Sequence, residues 1–422
     1  MKRLFLLLAL LVFITGSFAP AATAQESRQI AVFINGLPVS FDVSPVMQNG
    51  RTLVPFRAIG EALDVQVTWD GATQTVNATA SNNTVRLQMG SITGYRNQAP
   101  IPLDVPPLNL NGRTLIPLRF FSEAFDCQVA WDNATSTVKI TAPPQQMTQM
   151  TVVGFYALGD AQTSSWTNLF GVAYPATSVG NTDKLSNLAL GWYTLDGQGN
   201  LLTQSATGWQ RPDGWEEVLD AARSYNLDTA MVIHATDKDS TVTNLLTNEA
   251  AMQQAAAYIM EEVNPYGGVN LDLEGLGYTD TGEQLIAVQN SFTSFVSSLA
   301  EQLRPTGKTL TVTLHAPNSA YKGYDYQALG QVVDKIIIMA YDYGSSPEPV
   351  NQVIQAVESA TAVVPAEKLL LGISAPTENP QSIITKVGIA KKYNLDGIAL
   401  WRLGIISDAM WQALNSTAQA SH

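Results

Sequence analysis

Cysteine is nearly absent: Cys127 stands alone, which excludes an internal disulfide framework and a Cys-x-x-Cys zinc site. Positive charge is also scarce. Lys and Arg number 23 against 36 Asp and Glu, a formal net charge of -13. No overall positive field exists to recruit phosphates, so duplex nucleic acid and anionic lipid surfaces are excluded as partners. A neutral or cationic partner, such as a polysaccharide, stays open. Beyond the first segment no apolar run approaches the ~20 residues of a membrane span. What remains is globular in composition: 422 residues, 45% hydrophobic, 8% aromatic and 14% charged. That is enough chain for more than one buried core.

Lys2 and Arg3 precede an apolar run from Leu4 to Ile14, and Ala22-Thr23-Ala24 supplies small residues at a cleavage position. Basic start, apolar middle and small-x-small end predict a signal peptide over 1–24. Its removal takes away two basic residues and leaves the remainder more acidic. A secreted, extracellular or cell-wall-associated protein is expected. With one cysteine, it fits secretion from a Gram-positive type of bacterium.

Asn49-Gly50-Arg51-Thr52-Leu53-Val54-Pro55 returns 62 residues later as Asn111-Gly112-Arg113-Thr114-Leu115-Ile116-Pro117. The same offset carries Glu61-Ala62 onto Glu123-Ala124, Trp69-Asp70 onto Trp131-Asp132, and Val65 onto Cys127. One supersecondary unit is used twice. Each copy predicts a strand ending at proline, a short helix (56–63 and 118–125), then two strands around the Trp-Asp turn. Asn35-Gly36 predicts an opening hairpin. Cys127 reads as a small buried hydrophobe. The two tryptophans read as core or turn packing rather than sugar platforms. No histidine, paired carboxylate or phosphate loop occurs between residues 25 and 142. Residues 30–141 therefore form a duplicated α+β module, and the proline-rich 142–150 a semi-rigid linker.

From Thr151 onward, eight short apolar runs alternate with helix-like stretches such as 215–225, 250–263 and 285–303. Eight alternations over 151–417 predict an α/β fold, a (β/α)8 TIM barrel of the usual ~250 residues. An open doubly wound sheet is the alternative, but no Gly-x-Gly-x-x-Gly follows the first run. Barrel chemistry belongs at the carboxyl ends of strands. The fourth run ends Asn270-Leu271-Asp272-Leu273-Glu274, and strand alternation puts Asn270, Asp272 and Glu274 on one face. The outer face of a barrel strand is covered by helices, so the polar face points inward. Two carboxylates this close perturb one another and raise one pKa, as a general acid requires. Met339-Ala340-Tyr341-Asp342 closes the sixth run, and Trp401 the eighth. His234 and His315 also fall near strand ends, where a hydrogen-bonded barrel histidine is preferred to a metal ligand.

Residues 30–141 resemble the copper amine oxidase N-terminal-like domain, on the strength of the repeated Asn-Gly-Arg-Thr-Leu-x-Pro and the later Trp-Asp. That resemblance implies a non-catalytic stalk or attachment role to the cell envelope. Residues 150–417 resemble glycoside hydrolase family 18, the chitinase-like family. Its strand-four pattern Asp-Gly-x-Asp-x-Asp-x-Glu is met by Gly267-Gly268-Val269-Asn270-Leu271-Asp272-Leu273-Glu274, with Gly267 and Asn270 in place of two aspartates. Its Met-x-Tyr-Asp is met by Met339, Tyr341 and Asp342, and its strand-eight tryptophan by Trp401. The phrase from Leu190 to Gly197 is similar to the branch acting on cell walls and spore peptidoglycan.

The resemblance implies a secreted enzyme that cleaves β-1,4-linked N-acetylglucosamine polymers, peptidoglycan or chitin, by substrate-assisted retaining hydrolysis. It implies Glu274 as general acid and base, Asp272 orienting the acetamido N–H, Tyr341 bonding the acetamido oxygen and Asp342 in support. Trp401, Asn270, Met339, Tyr156, Trp192 and His315 are the expected substrate contacts. No cofactor and no metal are expected. The alternative is a lectin-like envelope protein that binds the same glycans without turnover.

Overall fold

The computed structural model describes residues 29–143, 147–157 and 165–422. The expected leader over 1–24 and the centre of the expected linker, 144–146, lie outside the described residues. The strands of the second half are Thr148–Ala157, Asn187–Leu195, Asp228–Thr236, Gly268–Glu274, Thr309–His315, Lys335–Met339, Leu369–Ser374 and Gly397–Trp401. Each pairs in parallel with the next, and the eighth returns to the first through Val152↔Ile398. The sheet is closed: a (β/α)8 barrel, not an open doubly wound sheet. The expected linker ended too late. Thr148, Gln149 and Met150 already belong to the first strand, where they pair with Ala418–Ala420, because their backbone groups find partners there.

Strand alternation sorts the side chains. Leu271, Leu273, Val312, Leu314, Ile336 and Ile338 face outward into the main core beneath the helices. Val153, Phe155, Ala189, Val232, Ile337 and Leu370 face inward and plug the barrel. The covering helices form because apolar residues recur every three or four positions. Phe292, Phe295, Val296, Leu299 and Leu303 make one buried stripe along Gly282–Leu303. At ~1.5–3 kcal/mol for each large apolar side chain buried, such stripes hold the helices onto the barrel.

The first half is a duplicated, strand-rich module built about a pseudo-two-fold axis. Strands Arg51–Pro55 and Arg113–Pro117 pair antiparallel, and Val54 lies opposite Ile116, its own counterpart in the repeat. Helices Phe56–Ala62 and Leu118–Ala124 follow, each wedged into the module's core. Reciprocal ion pairs cross the axis: Arg51 to Asp104 at 2.6 Å, and Arg113 to Asp42. Cys127 is buried, and burial pushes its thiol up to about 11, so it packs as a hydrophobe. The tryptophans depart from expectation. Trp69 and Trp131 are 39% and 37% exposed, on strands at the edges of their sheets, so neither ring is a core residue.

The module leans on the barrel's outer helix Pro380–Lys392. Thr385 Oγ1 donates to the Asn35 carbonyl at 2.8 Å, at the tip of the opening hairpin. Gly36 takes φ +82°, and a Cβ there would fall 2.4 Å from Thr385 Oγ1. Only glycine turns the hairpin this close to the helix.

Candidate active site

The carboxyl ends of the strands frame an open cavity of about 580 Å3. Inward alternation carries Asp272 and Glu274 into it from the fourth strand, beside His234 of the third, with His234 and Asp272 register partners. Asp272 is 3% exposed and Glu274 lies higher, with its side chain 27% exposed to the mouth. The strand is pinned where Glu274 stands: the Tyr324 hydroxyl donates to the Leu273 carbonyl at 2.8 Å. Gly275 then turns the chain away at φ +95°, its N–H donating to His315 Nε2 at 3.3 Å.

One ligand atom each from His234, Asp272 and Glu274 lies within 4.8 Å of the others, and Asp272 Oδ1 meets no hydrogen-bond partner among the described residues. Burial, reinforced by the Glu274 charge, holds the Asp272 carboxyl well above the ordinary aspartate value. Glu274 moves the opposite way. Burial pushes it up, but the His234 hydrogen bond and the charges of His234 and His315 outweigh burial and leave it lowered. Burial also lowers His315, against the pull of Glu274. His234, with Nε2 3.4 Å from Glu274 Oε1, contributes more to the lowering of Glu274 than His315 does. Of the two carboxyls, Asp272 is therefore the one that holds a proton more readily. The same three groups are spaced closely enough to hold a cation.

An aromatic floor faces these carboxylates. Trp401 stacks at 5.2 Å on Trp209, Trp209 stacks at 4.2 Å on the His234 ring, and Phe155 meets Trp401 edge-on. Met339, Tyr341 and His315 line the opposite wall, His315 stacked on Tyr321 at 4.1 Å. Burial, with the Asp272 and Glu274 charges adding, raises the Tyr341 phenol well above its usual value, so it remains a donor. Asp342 stands at the rim at φ +64°; burial and the charges of Glu348 and Glu274 raise its carboxyl. The buried Glu348 holds that corner by accepting the N–H groups of Asp342 and Tyr343, both at 3.1 Å.

Three expected contacts are misplaced. Tyr156 is wholly buried in the outer core, because alternation on the first strand gives the inward place to Phe155. Trp192 is also wholly buried outside the barrel, beside Trp215 and Tyr266. A register shift between Gly191 and Tyr193 sends it outward. Asn270 points inward but sits beneath the cavity, accepting from Thr313 Oγ1 at 2.9 Å. Gly267 lies a turn lower at the strand's start, where a Cβ would meet the Thr229 carbonyl at 3.1 Å. Neither departure from the strand-four pattern lines the cavity that holds Asp272 and Glu274.

Sequence reasoning missed Trp209, His234's contact with Glu274, and Glu348. Trp209 had one signal: it lies in the long connection after the second strand, at the face where barrel chemistry resides.

A closed barrel with a carboxylate pair at the fourth strand's end and an aromatic floor has the build of a glycosidase. Residues 131–377, more than half of the chain, match the model of the glycosyl hydrolases family 18, and the chain belongs to that family. Trp401 lies beyond the matched stretch. Residues 33–140 match the copper amine oxidase N-terminal domain. The chain is 29% identical over 177 residues to YdhD of Bacillus subtilis, named as a candidate sporulation-specific glycosylase, covering 40% of this chain and 38% of that one. It is 24% identical over 197 residues to the cortical fragment-lytic enzyme of Bacillus anthracis, covering 41% of each. The chain therefore spans about two fifths of the length of these relatives. In fold it is similar to a class V chitinase from Pseudomonas fluorescens, with TM-score 0.52, 18% identity, and 63% of this chain and 99% of that one covered. The spore cortex-lytic enzyme SleL of Bacillus megaterium gives 0.54 at 14% identity, covering 76% and 80%. No described helix is long and apolar enough to cross a membrane.

Proposed function

We propose that the protein is a secreted glycoside hydrolase that cleaves β-1,4-linked N-acetylglucosamine polymers, with cell-wall or spore-cortex peptidoglycan as its substrate and chitin as a weaker one. The carrying observation is the pair at the fourth strand's end: a mouth-facing Glu274 above a buried Asp272 whose carboxyl burial holds well above its ordinary value, within reach of one another. The names of the curated relatives favour peptidoglycan over chitin.

In this reading a sugar lies over Trp401, and Tyr341 donates to its acetamido oxygen. Asp272 accepts the acetamido N–H, and the pair's proton passes to Glu274. Glu274 donates that proton to the glycosidic oxygen while the acetamido oxygen attacks the anomeric carbon, so the leaving chain departs as an alcohol. Asp272, now ionised, balances the cationic oxazolinium ring. Glu274 then takes a proton from water as it opens the ring, restoring the starting state. The buried aspartate thus holds the proton that the mouth-facing glutamate delivers.

Glu274→Gln tests the assignment. Hydrolysis of soluble N-acetylglucosamine oligomers should fall by about 10²–10⁴-fold, the usual worth of a positioned acid. Full activity in that variant would overturn the proposal. Digesting purified sacculi, spore cortex and chitin in parallel, with mass analysis of the products, identifies the substrate.

A further inference from the structure

The module carries two grooves that repeat one another residue for residue. Each of the ten residues lining the first has its counterpart, 62 positions away, in the wall of the second. Trp69, Arg57, Arg113 and Asp42 in one become Trp131, Arg119, Arg51 and Asp104 in the other. Each groove is shared: tryptophan and one arginine come from one repeat, the Asn-Gly-Arg hairpin from its mate. The cavities measure about 380 and 270 Å3, the scale of one or two sugar rings.

Three features select the occupant. A tryptophan more than a third exposed in each groove offers a flat apolar platform, the surface a pyranose face seeks. Arg113 and Arg51 are tied to aspartates, whereas Arg57 makes no ion pair among the described residues and Arg119 reaches only Glu123, at 4.0 Å. Each groove thus sets a cation with donors to spare beside an indole, and guanidinium matches a carboxylate. The local charge permits it. Residues 29–143 hold seven Arg and Lys against eight Asp and Glu, so the acidity of the chain resides almost wholly in the barrel. Beyond about 10 Å that field is screened by salt.

We infer that the two grooves are equivalent binding sites for a carboxylate-bearing glycan strand, each indole under a sugar ring and Arg57 or Arg119 on a carboxylate. This rests on the reading of peptidoglycan as the substrate, and it assigns the module a ligand. Two sites on one chain bind a cross-linked mesh with avidity, holding the barrel against an insoluble substrate. The grooves differ at Asn109 against Met47, Phe56 against Leu118 and Ala58 against Phe120; the first of these makes the first groove the more polar.

The test uses the full chain carrying Glu274→Gln, sedimented with insoluble sacculi to give an apparent Kd. Trp69→Ala and Trp131→Ala should each weaken binding about tenfold, and the double variant about 10²-fold. Trp→Phe at both sites should keep most of the binding, separating loss of the platform from loss of the fold. Sacculi with amidated carboxyls, and chitin, should bind about as weakly as sacculi bind the double variant. Binding by the double variant equal to that of its parent, or binding indifferent to amidation, would overturn the inference. In the otherwise native chain, the double variant should hydrolyse soluble oligomers at the parental rate. A Glu274→Gln chain that still hydrolyses would sink the glycosidase reading yet leave the groove assignment standing on its binding data.

Discussion

Asp272 and Glu274 are two residues apart on one strand, yet their surroundings pull their protons in opposite directions. For Asp272 the consequence is a stability cost that depends on pH. Below its ordinary value of 3.8 the carboxyl is protonated in both folded and unfolded chains, and nothing is lost. As pH rises above that, the unfolded chain releases the proton while the buried group resists, and stability falls until the raised folded pKa is passed. Asp272→Asn should therefore melt several degrees above the parent at pH 7, with the gap closing near pH 3, while kcat drops. Equal melting temperatures at pH 7 would refute the buried charge cost. Glu274 owes its lowered pKa chiefly to His234. His234→Phe keeps a ring on Trp209 and removes the donor, so the alkaline limb of kcat/KM should move to higher pH. An unmoved limb would remove His234 from the acid's surroundings. Alternation made the inward placing of Asp272 and Glu274 legible in the sequence, while Met339 and Trp401 were legible only as the ends of apolar runs. Tyr156 and Trp192, expected from the resemblance, were misplaced: alternation gives the first strand's inward place to Phe155, and a bulge no local pattern announces turned Trp192 outward.

Elements carry the site through close backbone approach. Gly191, on the second strand, occupies the inward place that Trp192 was expected to hold, and a Cβ there would fall 2.4 Å from the Trp209 ring. Glycine at that position lets an indole from a loop lie against the strand and reach both His234 and Trp401. Gly191→Ala should displace the ring at a cost of about 1–3 kcal/mol, with kcat/KM falling and the barrel still folded. Near-ultraviolet circular dichroism would register the lost stack, and an unchanged spectrum with full activity would refute it. The strands and their order were readable because eight apolar runs at regular spacing leave few topologies. The loop's contribution was not, because no periodicity says where a single aromatic in a long connection comes to rest.

For the whole molecule, the seam between module and helix Pro380–Lys392 sets one half against the other. Gly388 admits Leu37, whose Cδ1 would lie 2.9 Å from an added Cβ. Gly388→Leu should part the halves, raising the radius of gyration in solution scattering. Hydrolysis of soluble oligomers should persist, since the seam lies away from the carboxylates. A scattering profile identical to the parent's would show the seam tolerates the wedge. The repeat itself was plain in the sequence; its three-dimensional meaning was not, because a 62-residue offset does not say how two copies meet.

That meeting has a consequence of its own. Val54 lies opposite Ile116, its equivalent, and each repeat's arginine clasps the other's aspartate. Such contacts are isologous, the kind two identical subunits make across a dyad. The module therefore has the architecture of a homodimer joined into a single polypeptide, its two half-sites free to diverge once one gene encoded both.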